Sequence, residues 1–186
     1  MADDTLLAEL DAARDAFLDA LTGVDADLVT VPGVVEEWSV RDLIVHVAAW
    51  CEHGTHALAL ATDGRGAEFA YSGGDTDAMN ERIALEARSI TPHAALDREE
   101  VAFTAFRERV AASDAALRSE RLGNGDTVEA VIGYDGPAHY AEHTEHIRAW
   151  FSGSDGDEDA EAAEAAEAGD AADTAAAADT AAAERR

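Results

Sequence analysis

The chain has no lysine, one cysteine, three prolines and only 6% aromatic residues among its 186 positions. Each shortage excludes something. A single cysteine, Cys51, cannot close a disulfide within the chain, which fits a reducing, cytoplasmic setting. No run of uncharged apolar residues approaches the ~18 that a membrane helix needs. The opening MADDTLLAEL lacks the basic and apolar segments of an export signal, so none is expected. Few aromatics beside abundant alanine favour helices over a β-sandwich.

What is present in excess is negative charge. Forty acidic residues stand against 13 basic ones, all arginine, for a formal charge of −27. Such a chain repels nucleic acid and anionic membranes, so neither is expected as a partner. The same charge repels itself. A short Debye length relieves that repulsion, and the composition points to a protein adapted to high salt.

The charge is not evenly spread in character. From Ser154 onward, SDGDEDAEAAEAAEAGDAADTAAAADTAAAERR holds 11 acids, two arginines and no bulky apolar side chain. A segment with nothing to bury cannot offset its ordering entropy. Two regions follow: a folded domain over 1–153 and a disordered, acidic, alanine-rich tail over 154–186.

Within 1–153 the apolar residues recur at helical spacing. Leu6, Leu10, Ala13, Phe17 and Leu21 make one stripe. A long connection containing Pro32 and Gly33 follows, and then Ser39 with Asp42 three residues on makes a variant capping box for a second helix, Val40 to about Ala61. Its inward face carries Leu43, Val47, Trp50 and Leu58. Gly64 to Gly74 reads as a loop, and a third helix runs from Asp75 to about Arg88 through Met79, Ile83 and Ala87. Thr91 before Pro92 opens the next helical run, whose apolar series is Val101, Ala105, Val110 and Leu117. GNGDTVEAVIGYDG, 123–136, reads mainly as a connection with a short β-prone piece, and Asp135 with Pro137 opens the last helix, 137 to about 152. The expected fold is all-α, a four-helix bundle with a long connection.

Three of the seven histidines fall in HYAEHTEH, 139–146. At about 100° per residue, His139 and His143 lie about 40° apart, with His146 and Trp150 on the same stripe. His46 sits likewise among Leu43, Val47 and Trp50, so two helices bring imidazole to their buried faces. Histidines at i and i+4 form a chelating pair, and one more from a facing helix completes three nitrogen ligands with a position left open. Other assignments fit too. A core histidine is ordinarily just hydrogen-bonded; His46, Glu142 and His146 form an alternative ligand set; and HYAEH matches the H-x-x-E-H peptidase pattern, which would need a large further domain. His53 and His146 are expected at the rim or behind the ligands, His56 and His93 in solvent.

WSVRDLIVHVAAW, 38–50, and AHYAEHTEHIRAW, 138–150, together resemble the DinB-like (YfiT-like) superfamily of metal-binding helical bundles, most closely its ClbS/DfsB branch. Mycothiol-dependent maleylpyruvate isomerase is a more distant likeness. The resemblance covers about residues 5–152 and rests on Trp38 before the capped helix, His46 eight residues later, His139 a further 93 on, and His143 at +4. It implies that His46, His139 and His143 hold a divalent metal ion, zinc first and nickel second. It also implies a small-molecule partner, with a low-molecular-weight thiol in the family's manner. The expectation is a metal-dependent thiol transferase or hydrolase acting on a small electrophile, with Trp50, Tyr140, Trp150 and Asn80 shaping the pocket. The alternative is a metal-free small-molecule-binding or protective bundle, working as a homodimer.

Overall fold

The computed structural model of the chain describes residues 2–70 and 76–152. Among the described residues seven helices follow one another: α1 (Ala2–Thr22), α2 (Val40–Thr62), α3 (Thr76–Ala87), α4 (Pro92–Ala112), α5 (Ala115–Arg118), α6 (Val128–Asp135) and α7 (137–152), with a 3₁₀ turn at Gly66–Glu68. Among the described residues there are two isolated bridges and no strand, and α1, α2, α4 and α7 make the all-α bundle. The described residues fall into two units, the second beginning at Arg148. The expected acidic tail lies outside the described residues.

Helix α2 is the axis of the first unit. Sixteen of its 23 residues are buried, so it is apolar nearly all round, as a central helix must be. Its start is fixed as the sequence suggests: the Asp42 amide donates to the Ser39 hydroxyl at 3.3 Å, and the Ser39 amide and hydroxyl donate to Asp42 Oδ2 at 2.9 and 2.8 Å. A cap of this kind stabilises by about 1 kcal/mol, and here it also sets the phase that points His46 inward. Helix α2 packs along α4 and also touches α3, α6 and the 3₁₀ turn. Close approach to α4 needs Gly54, where a Cβ would stand 2.5 Å from the Phe106 ring.

Helix α4 starts at Thr91, whose hydroxyl accepts from the Ala94 amide, with Pro92 in the first turn. It buries Ala102, Phe103, Phe106 and Val110, whereas Val101 is 71% exposed. The inward stripe is therefore one residue out of phase with the expected Val101 and Ala105. Two phenylalanines bury more apolar surface than a valine and an alanine, and they set the rotation. The run ends at Ser113, and Asp114 caps the separate short α5.

The larger departure is α6, where a connection was expected. Thr127 caps it by accepting from the Ala130 amide, and Val128, Val131 and Ile132, spaced as one helical face, are buried. Asp135, expected to open the last helix, instead ends α6 with its side chain in the core. Gly136 makes the break before α7. A Cβ there would lie 2.8 Å from the Ile132 carbonyl oxygen, 2.9 Å from Phe106 and 3.0 Å from Leu10, so only glycine fits.

Tyr140 of α7 is fully buried, with its ring edge-on to Phe17 of α1 at 5.4 Å and Phe103 of α4 at 5.9 Å. Its hydroxyl donates to Glu99 Oε1 at 2.6 Å, and the Glu99 carboxylate also accepts from Arg14 Nε and Nη2, both at 2.9 Å. Arg14 in turn lies over the Phe103 ring at 4.3 Å. One buried carboxylate thus joins α1, α4 and α7.

Candidate metal centre

Helices α2 and α7 bring three imidazoles to one interior point. His46 Nε2 and His139 Nε2 are 2.7 Å apart, and the ring centroids of His46, His139 and His143 stand 4.7 to 4.9 Å from one another. One nitrogen from each ring can be chosen so that all three lie within 4.8 Å of each other. Around a tetrahedral ion with bonds of about 2.0–2.1 Å, ligating nitrogens stand about 3.3 Å apart. The observed separations bracket that distance.

The rings are oriented from behind. His139 has a hydrogen bond with the Tyr134 backbone. His143 Nδ1 lies 3.2 Å from His146 Nδ1, and its Nε2 is buried with no hydrogen-bond partner; the same holds for His46 Nδ1. A buried polar atom without a partner costs about 1–3 kcal/mol, so His143 Nε2 is a place for a ligand. These residues fit a cation.

Electrostatics agree. Burial, then the neighbouring His139 and His143, push the His46 pKa down to about 2. Burial, His139 and His146 push His143 down to about 3. Burial lowers His139 also, against an opposing pull from Glu142 and the Tyr134 backbone. All three rings are therefore neutral at physiological pH, with lone pairs free to bind a metal.

The trio lines a cavity of about 830 Å³. Trp38 covers His46 with centroids 4.8 Å apart, and Trp50 lies 5.4 Å from His139. The loop that places Trp38 is tied by Gly33 and Val34 amides donating to the Trp38 carbonyl at 3.1 and 3.0 Å, and turns through Glu36 at φ 51°. Asn80 of α3 reaches the same wall, where its Oδ1 accepts from Trp50 Nε1 at 3.3 Å.

Not every expected pocket residue comes together here. Trp50 and Asn80 line the cavity, as do Glu142 and His146 of the alternative set. Tyr140 turns into the core toward Glu99 and Cys51, because its position on α7 faces α1 and α4. Trp150 belongs to the second unit, where its ring packs against Phe151 at 5.0 Å. His56 is exposed and His93 is an 87% exposed partner of Asp97.

Sequence reasoning missed the pair behind Trp50. His53 Nδ1 lies 2.7 Å from Asp135 Oδ2, and burial raises the Asp135 pKa to about 6 against the pull of His53. The two residues are 82 positions apart, and Asp135 looked like a helix start.

The model of the mycothiol maleylpyruvate isomerase N-terminal domain family matches residues 7–146. The chain belongs to that family. Its fold is the DinB-like helical one that the two histidine motifs suggested. Two solved structures share its fold. An uncharacterised protein from Escherichia coli UTI89 superposes with a TM-score of 0.71 at 14% identity, covering 82% of this chain and 94% of that one. The colibactin self-resistance protein ClbS in complex with a dsDNA gives 0.66 at 13% identity, covering 78% and 93%. Among curated proteins none matches. Among the described residues, no helix is long and apolar enough to cross a membrane.

Proposed function

We propose that this family member binds one divalent metal ion, zinc in the first place, through His46, His139 and His143, and acts on a small electrophilic molecule by thiol transfer or hydrolysis. The observation that carries the reading is the unpartnered, buried His143 Nε2 beside two further imidazoles whose nitrogens lie within 4.8 Å. A bound ion would supply a Lewis acid that lowers the pKa of a thiol or water on its open position. The protein's own residues do the rest. His146 and the Tyr134 backbone hold the ligand rings, Trp38 and Trp50 keep bulk water off them, and Glu142, next to His143 in the chain, is a cavity-wall carboxylate that can accept a proton.

The 2.7 Å contact between His46 and His139 favours a second reading, in which the rings share a proton and the cavity binds a small molecule without metal. Elemental analysis of the purified protein, joined to a thiol-conjugation screen at high salt, separates the two. One ion per chain with conjugation supports the first; metal well below one per chain without chelation supports the second. Nucleic acid is not part of either reading. One structural neighbour was crystallised with dsDNA, but the −27 charge of this chain opposes such a partner.

A further inference from the structure

The cavity wall carries four carboxylate side chains, Glu36, Asp77, Glu81 and Glu142, and one guanidinium, Arg88. An acidic chain has acidic surfaces in many places, and several of its carboxylates elsewhere are answered. Asp11 pairs with Arg107, Glu99 with Arg14, Glu68 with Arg65, and Glu52 and Glu86 with Arg98. Among the described residues no ion pair joins any of the four around the cavity. Two further features mark this wall as one that receives a ligand. Trp38 and Trp50 present indole rings to it, and His143, 6% exposed, holds its unpartnered Nε2 there.

We infer that the cavity selects small molecules bearing a fixed positive charge, an ammonium or guanidinium group, and disfavours anionic ones. Low-dielectric walls focus the field of unpaired carboxylates into the cavity, raising the local concentration of cations. With a divalent ion on the three neutral imidazoles, an anionic substrate would still meet four like charges against the ion's two and the one of Arg88. This inference rests on the metal-and-thiol reading above and names the substrate class that site takes.

The test uses the full chain loaded with zinc and three thiols on one short skeleton: thiocholine, 2-mercaptoethanol and 2-mercaptoethanesulfonate. Quaternary ammonium and sulfonate groups are poor metal ligands, so their order of affinity reports charge. Isothermal titration at 0.3 M KCl should find thiocholine roughly tenfold tighter than the sulfonate, with the neutral thiol between. The ratio should contract at 3 M KCl, where charges are screened. A Glu81→Gln/Glu142→Gln variant with unchanged zinc content and circular dichroism should narrow it at 0.3 M. Equal affinities, a tighter sulfonate, or a ratio unmoved in the variant overturns the inference alone. Failure of all three thiols to bind overturns the thiol reading together with it.

Discussion

Arg14→Ala is the perturbation whose consequence follows most directly from the packing. Glu99 is 1% exposed and its carboxylate is held by two parallel hydrogen bonds from Arg14 and one from Tyr140. Removing the guanidinium strands a buried charge, which costs about 3–5 kcal/mol, because desolvation is no longer answered by a counter-charge. That is a large share of the 5–15 kcal/mol that a domain ordinarily has. At about 2–4 °C per kcal/mol for a domain of this size, the melting temperature should fall by about 6–20 °C. Two further variants show whether the cause is the stranded charge. Tyr140→Phe removes one bond to a charged acceptor and should cost about 1.5–3 kcal/mol. Adding Glu99→Gln to Arg14→Ala removes the charge while keeping an acceptor for Tyr140, and should recover part of the loss. Urea melts followed by circular dichroism measure all three. An Arg14→Ala protein within 1 kcal/mol of the parent, or a double variant worse than the single, would refute the reasoning.

Other consequences are open to measurement. Gly136→Ala should destabilise by about 1–3 kcal/mol or more in the same melts, since its Cβ meets the Ile132 carbonyl oxygen and two core side chains. For Asp135 the folded pKa of about 6 lies above the ordinary carboxylate value of 3.8, so its contribution is full below pH 3.8 and lost as pH rises through 6. Asp135→Asn removes that loss, and its stability relative to the parent should improve by about 3 kcal/mol between pH 4 and pH 7. A flat difference across that window would contradict the assignment. The net charge of −27 predicts a higher melting temperature at molar KCl than at 50 mM, read by differential scanning calorimetry.

Much of this architecture is legible without coordinates, for reasons that also explain what is not. Helices α1, α2 and α4 announce themselves because long apolar stripes coincide with local start signals at Ser39 and at Thr91 with Pro92. Helix α6 hides because eight residues rich in β-branched side chains, set between glycines, look the same as a connecting strand; its helicity comes from burying Val128, Val131 and Ile132. The histidine trio is legible because i, i+4 spacing fixes two rings and the apolar neighbours of His46 fix the third. Periodicity gives the face of a helix and not its partner. Tyr140 sits one position from His139 and still turns to Glu99, 41 residues away. The exposure of Val101 has the same origin: either phase of α4 is amphipathic, and the two phenylalanines decide between them.

The central claim is that three imidazoles from α2 and α7 share one cation. Cobalt(II) titration of the chelated protein, followed by visible absorption, tests it most directly. The account predicts saturation at one ion per chain with the intense d–d bands of a four-coordinate site, and their loss in a still-helical His143→Ala variant. No such bands in the parent, or the same bands and stoichiometry after His143 is removed, would contradict it.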